Sequence, residues 1–415
     1  MAYKASPLAF CREKSKNSKG LTFSNLLLLQ INGLDNGYHE ELLNFFNRDL
    51  ENSPLLTPSP SALCQARNKI KHEVFQHLSN SLVDDVYRSM NIKSWHGFRP
   101  IGIDGSTLHV PDTIENAEYF KGWNSKNGDS LCPKARCSLA YDLKNKFICD
   151  AQISPTSIGE DILAFKHLNR SSPSDLYVYD RYYASYKLFL EHEERGLHYC
   201  SRIPTKLFTR LCENFLETDQ FDQVVDYAPT APVASKLKKK GYNIRPLKVR
   251  LIRVTLKNGE TEVLATNVMD KRLAESSFDE LYNMRWAVEE EFKRLKCRAE
   301  VENFSGEKLE FVLQDFYAEI LRLNLSTLLS MDAREKIKQD GKKEKHKHSV
   351  NTTQALEYIS ILVNKFKRHL ELTVLVDHIT ISLFRNSLPI RNDREFEHNN
   401  KPKRAGYSKQ YKRTA

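Results

Sequence analysis

The chain has 415 residues, with 63 Lys or Arg against 53 Asp or Glu, a net charge of +10 and a pI near 9.0. That length exceeds one ordinary domain and can bury a substantial core, so two or three structural units are expected. The basic balance favours a polyanionic partner, nucleic acid being the commonest, and the apolar run LLLL at 26–29 is far too short for a membrane span.

The eight cysteines show no C-x-x-C and no Cys/His set at zinc spacing, CPKARC at 132–137 being the closest pair, so they read as free thiols in a reducing compartment. With no cleavable signal among the first residues, a cytoplasmic, nucleoid-associated protein is expected. Residues 341–415 carry sixteen Lys or Arg against seven Asp or Glu, which is nearly all of the net charge. Such a stretch serves equally as a phosphate-binding tail or a solubilising one.

In chain order, residues 1–96 read as helical: NLLLLQINGL and YHEELLNFFNRDL have helix-like apolar spacing. After the Pro-rich break SPLLTPSPS, one long helical pattern runs from a Ser cap at Ser59 or Ser61 to Met90. Its polar residues Gln65, Arg67, Asn68, Lys69 and Lys71 fit either a DNA-facing surface or an ordinary basic helix face. From 97 to 203 the texture alternates. FRPIGIDGSTLHV, KARCSLAYDL and FICDAQISPT read as strands, SIGEDILAFKHL as a helix opened by a Ser157 to Glu160 capping box, DLYVYD as a buried strand, YASYKLFLEHEE as a helix and LHYCSRI as a strand. That order predicts a mixed α/β sheet layered with helices.

Residues 204–275 read as an all-β insertion, with a hairpin turning at Asn258-Gly259. Helical patterning resumes with DELYNMRWAVEEEFKRLK and continues through LEFVLQDFYAEILRLNLSTLLSM, giving a second core segment over 276–330. Residues 331–415 then form a basic region in which REKIKQDGKKEKHKHSVNTT is polar, QALEYISILVNKF is a helix and the last twenty or so residues are disordered.

Two acidic residues stand out. Asp104 ends the apolar strand IGID and Asp180 ends LYVYD. A carboxylate at the carboxyl end of a buried strand is costly unless it meets a cation or a donor, and that edge is where ligands bind in open sheets. Singly, each is more often a turn or cap residue. Together, on strands the topology sets side by side, they suit a hard-metal site for Mg²⁺ or Mn²⁺, which take oxygen ligands and keep waters or phosphates in the remaining positions.

Helical geometry selects a third carboxylate. At about 100° per residue, Tyr282, Arg285, Glu289 and Lys296 fall within an arc of roughly 60°, beside an apolar stripe of Leu281, Met284, Val288, Phe292 and Leu295. Glu290 and Glu291 point elsewhere and read as surface charge. On this line Glu289 holds metal, Arg285 and Lys296 grip phosphate and Tyr282 donates a hydrogen bond; a salt-bridged helix face would show the same spacing without the two Asp.

The Tyr, two residues, Arg, three residues, Glu, six residues, Lys spacing in YNMRWAVEEEFKRLK, together with IGIDGS and VYDRYYAS, resembles the Y-R-E-K group of DDE transposases, insertion sequence family four. The resemblance covers about residues 98–325. It implies a ribonuclease H-like mixed-sheet core with a β insertion before the Glu helix, and Asp104, Asp180 and Glu289 as catalytic ligands of two Mg²⁺ or Mn²⁺ ions. It further implies Tyr282, Arg285 and Lys296 as DNA contacts; Arg181 beside the second Asp, and Arg67 and Lys69 on the polar face of the helical region, are further candidates. The implied reaction frees a 3′-hydroxyl at each element end and joins it to target DNA, within a homodimer assembled on double-stranded DNA. A nuclease without strand transfer and an inactive DNA-binding repressor are the readings left beside it. Two positions depart from the family: Asp180-Arg181 is followed by Tyr182-Tyr183 where Gly and an aromatic are usual, and residues 204–275 contain no Trp to stack on a flipped hairpin base, leaving either Tyr227 or Tyr242 as a stand-in or a pathway without a hairpin.

Overall fold

The computed structural model describes residues 20–47, 57–121, 123–124, 131–204, 209–255, 259, 261–340 and 347–390. Eight strands, β1 (Arg99–His109), β2 (Lys134–Asp142), β3 (Ile148–Pro155), β4 (Asp175–Tyr179), β5 (His198–Ile203), β6 (Asp222–Tyr227), β7 (Leu247–Thr255) and β8 (Thr261–Thr266), form one sheet in the order β3-β2-β1-β4-β5-β8-β7-β6. β1 is parallel to β4, and β4 to β5, while β2 alone among the first five runs against its neighbours. This 3-2-1-4-5 order is the mixed sheet that the sequence predicts, and it is the ribonuclease H-like core that the family resemblance implies.

The helices are α1 (Phe23–Asn32), α2 (Tyr38–Asn47), α3 (Pro60–Arg67), α4 (Glu73–Ser89), α5 (Ile114–Phe120), α6 (Glu160–His167), α7 (Tyr186–Arg195), α8 (Thr209–Leu216), α9 (Ala231–Lys238), α10 (Glu275–Met284), α11 (Trp286–Cys297), α12 (Leu309–Leu329), α13 (Met331–Asp340), α14 (Thr352–Lys367) and α15 (Thr373–Arg385). Every residue of β4 is buried because both sheet faces are covered. Leu176 and Val178 enter one core with α1, α4, α10, α11 and α12, whereas Tyr177 and Tyr179 enter the other with α6 and α7. α12 is the central support: fifteen of its residues are buried, as the run LEFVLQDFYAEILRLNLSTLL requires.

Several elements differ from the sequence reading. The long helix after Ser59 is two, α3 and α4. Ser59 caps α3 by accepting from the Ala62 amide, and the break at 68–72 is held from α12, where the Gln314 amide donates to the carbonyls of Arg67 and Ile70 and Glu310 accepts from the His72 amide at 2.7 Å. These tertiary bonds replace the intrahelical ones lost at the break. α6 begins at Glu160 behind an N-cap at Gly159 that makes no side-chain bond, so the capping box is not formed.

Residues 204–275 are not all-β. They contain α8 and α9, and their strands extend the core sheet through β8 on β5 instead of building a separate unit. The β7–β8 hairpin pairs Thr255 with Thr261, with Gly259 at φ +83°, the left-handed region glycine tolerates; Asn258 lies outside the described residues. REKIKQD is helical within α13, and TVLVDHITISLFR adds α15, which the sequence reading passed over. The predicted disordered tail, like most of the basic excess after 341, lies outside the described residues.

Candidate functional site

β1 does not end at Asp104. It continues to His109 because β2 goes on pairing with it, Asp104 opposite Leu139 and Gly105 opposite Ser138. On its other side the parallel register with β4 stops at Gly102 against Val178. Two residues further, Asp104 on β1 and Asp180 just past β4 come level, where the sheet opens between them. Asp104 therefore lies inside its strand and not at the end the sequence suggested, and the opening comes from the end of the β1–β4 ladder.

The Asp104 side chain is 24% exposed, and its Oδ1 accepts from the Gly105 amide at 2.9 Å. Burial pushes its carboxyl up to about 6; the Gly105 amide and Arg285 oppose the rise, and the charges of Glu289 and Glu160 add to it. The chain then crosses the site on α10 and α11, two helices meeting at Arg285 where the sequence suggested one. The turn at the junction keeps three side chains on the Asp side. The Tyr282 hydroxyl donates to Asp180 Oδ1 at 3.4 Å, Arg285 Nη2 donates to Glu289 Oε1 at 2.7 Å, and Arg285 Nη1 lies 4.0 Å from Asp104 Oδ2. Burial, then the charge of Asp180, holds the Tyr282 phenol well above its usual range, so it stays a donor.

Asp104 and Glu289 thus face one guanidinium, and Asp180, held by Tyr282, adds its charge to the same site. Arg285 is 7% exposed and its Nε is buried without a partner. One cation against three carboxylates leaves two negative charges in excess, all on hard oxygens, and this donor set fits a divalent cation of the Mg²⁺ or Mn²⁺ class. The three do not form a closed cage: among the described residues, ligand atoms all within 4.8 Å of one another occur only in His72, Glu73 and Glu310, at the α3–α4 break remote in sequence from the predicted ligands. There the His72 ring stacks on Tyr317 and its Nδ1 lies 3.1 Å from Glu310, an arrangement the helix break already explains.

The other predicted residues scatter. Lys296 Nζ donates to Ser106 Oγ and to the Thr107 carbonyl, both at 2.7 Å, which fixes it to the far half of β1 beside the site. Arg181 is exposed on the turn after Asp180, and Lys69 is half-buried. Arg67 is a correction. It is fully buried, with Nε donating to Gln314, Nη1 to Tyr38 and Ser305, and Nη2 to Asp315, so four of its five N–H donors are engaged and the group is closed off from a phosphate at the surface. Of the neighbouring glutamates, Glu290 is exposed and paired with Lys293, but Glu291 is 3% exposed and joined to Arg294, which in turn bonds Ser326 and Thr327 of α12. Glu291 is therefore a tie between helices, not surface charge.

Three residues beside the site escaped the sequence reading. Glu160 packs against Gly105 on the α6 face of the sheet, Tyr183 donates to Glu160, and Trp286 stands 61% exposed at the start of α11 with the Arg285 guanidinium 5.6 Å from its ring. An exposed Trp next to a predicted phosphate contact was the available signal. The suggested stacking residues in the insertion are engaged: Tyr227 packs on Tyr186 and Phe189, and the Tyr242 hydroxyl donates to Glu191 at 2.5 Å.

Known proteins resemble this chain in the same region. The sequence profile of the family described as transposase DDE domain matches residues 95–325. Transposase InsG for insertion sequence element IS4 of Escherichia coli (strain K12) is 23% identical over 269 residues, 64% of this chain and 60% of that protein. The piggyBac transposase chain in a synaptic complex with hairpin DNA aligns with 94% of this chain and 82% of its own, at 12% identity and a TM-score of 0.44.

Proposed function

We propose that this chain, which belongs to the transposase DDE domain family, binds the ends of a mobile DNA element, cleaves them and joins the freed 3′-hydroxyls to target DNA. The gathering of Asp104 and Glu289 around Arg285, with Asp180 beside them on Tyr282, carries this reading. In it the three carboxylates hold two divalent ions, whose chemistry when bound is to polarise the scissile phosphodiester and activate an attacking oxygen.

The chain's own residues supply the rest. Arg285 is positioned to hand its charge from the carboxylates to a phosphate, a fork that matches phosphate geometry. Tyr282 keeps its proton and donates beside Asp180. Lys296, bonded to β1 just past Asp104, and Arg181, exposed just past Asp180, would meet the backbone of a strand crossing the site. Double-stranded DNA is the partner, the two ends being brought together by a homodimer. None of the described helices is long and apolar enough to cross a membrane, and a cytoplasmic, nucleoid-associated setting suits this activity. Both the nuclease reading and the repressor reading use the same fold; neither has an observation of its own in its favour.

The test is substitution along α11. Glu289→Gln abolishes divalent-ion-dependent cleavage of the element's ends while the ends are still bound, and Glu290→Gln leaves cleavage intact. Full cleavage by the Glu289→Gln protein overturns the reading. Cleavage without joined product in a strand-transfer assay assigns the chain to the nuclease alternative.

A further inference from the structure

Glu160 has a place in the sequence that its structure does not honour. As the fourth residue of Ser-Ile-Gly-Glu it should fold back onto its own helix start, yet Gly159 is the N-cap and no side chain caps α6. The Glu160 carboxylate lies instead across β1. A Cβ built on Gly105 would stand 2.8 Å from Glu160 Cδ and 3.0 Å from its Oε2. Gly105 is the residue after Asp104 and donates its amide to the Asp104 carboxylate.

The far side of Glu160 is also engaged. The Tyr183 hydroxyl donates to its Oε2 at 3.3 Å, from a phenol that is 3% exposed and belongs to the turn after Asp180. Arg136 Nη1 is 3.9 Å from its Oε1, a loose pairing, and the Arg136 Nε is buried with no partner. Glu160 therefore bridges the Asp104 strand and the Asp180 turn from the α6 face of the sheet, with its side chain 27% exposed and its charge felt by the Asp104 carboxyl. A plain structural ion pair would bring Arg136 to full hydrogen-bonding distance and would not require the residue after Asp104 to lack a side chain.

We propose that Glu160 is a fourth carboxylate of the divalent-ion site, acting on the Asp104 side, and that Gly105 is glycine to admit it. The proposal rests on the reading that Asp104, Asp180 and Glu289 hold divalent ions. It adds a fourth hard oxygen donor to the set, and it gives Tyr183 the task of orienting that donor.

The experiment is Mn²⁺ binding to the full chain without DNA, followed by electron paramagnetic resonance, with thermal melting of each protein in parallel. Two variants remove Glu160 from the site by different routes. Glu160→Gln replaces the carboxylate. Gly105→Ala displaces it, because the added methyl meets the movable end of the Glu160 side chain and the backbone at 105 is not in the left-handed region. Both weaken Mn²⁺ binding by tenfold or more, with Asp104→Asn as the positive control and Glu290→Gln as the negative one. Mn²⁺ affinity within twofold of the parent in both variants, while Asp104→Asn loses it, overturns the role of Glu160 and leaves the proposed function standing. Unchanged affinity in Asp104→Asn as well overturns the metal reading beneath both.

Discussion

Arg67 and Arg285 are both buried arginines on helices that flank the sheet, and they are treated in opposite ways. Around Arg67 the fold has gathered Gln314, Tyr38, Ser305 and Asp315, with the Phe311 ring 4.4 Å from the guanidinium, so that its forked donors are used and its charge is matched. Arg285 makes one short bond, to Glu289, stands 4.0 Å from Asp104 and leaves Nε unpaired. A buried guanidinium with unused donors costs free energy that a purely structural residue would be expected to avoid. The difference separates a knot that holds α3 to α12 from a charge held ready beside three carboxylates.

Substituting the two arginines sharpens that contrast most. Arg67→Met removes one partner of a buried pair and strands Asp315, so unfolding in urea shows a loss of about 3–5 kcal/mol. Arg285→Met leaves a Glu289 that is 31% exposed and can hydrate, and it relieves the unpaired Nε, so the same measurement shows a loss of no more than about 1–2 kcal/mol. Its cleavage of element ends falls by at least about a hundredfold, on the scale of removing a preorganised charge from a reacting centre. Equal destabilisation by the two changes would make Arg285 a structural residue like Arg67.

A smaller effect, of the opposite sign, is predicted at Asp104. Its carboxyl sits at about 6 in the folded chain, above the usual 3.8. Below about pH 4 both states carry the proton and no stability is lost. Between about 4 and 6 the folded state keeps a proton the unfolded state has released, so stability falls as pH rises through that window, and above about 6 the whole cost is present. In protein stripped of divalent ions, Asp104→Asn removes that cost and gains up to about 3 kcal/mol at neutral pH. A saturated region offers no such gain: Asp175, held by both Nε and Nη2 of Arg99, loses stability on the same change. An Asn variant no more stable than its parent would show that the Asp104 site carries no such cost.

How much of this was legible in the sequence follows the range of the forces involved. Helical periodicity alone singles out Glu289 from its two neighbours, and period-two patterning gives the strands that carry Asp104 and Asp180. Those signals are local. Arg67 was misread as a DNA contact because its partners Ser305, Gln314 and Asp315 lie about 240 residues away and nothing in ALCQARNKI announces them. Glu291 was misread for the same reason, its tie running through Arg294 to α12. The break between α3 and α4 is written in α12, and the helices of the insertion were obscured by the strong hairpin beside them. Glu160 carried a recognisable local signal, the capping box, and tertiary placement overrode it.

Lys296 gives the smallest effect and the finest distinction. Its two bonds, to Ser106 and to the Thr107 carbonyl, are to neutral oxygens, so the ammonium charge is fixed in place without being neutralised by an acid among those partners. A charge positioned but unspent in this way is available to a phosphate passing over β1. Lys296→Ala should then weaken binding of element-end duplex uniformly across sequences and reduce the slope of log affinity against log salt by about 0.9, the contribution of one released counterion. Removing the two bonds costs the free protein only about 1 kcal/mol in melting or urea unfolding, since both acceptors lie where water can replace the lysine. An unchanged slope together with a larger stability loss would place Lys296 with Arg67, as a strut for the β1 strand and not as part of the DNA surface.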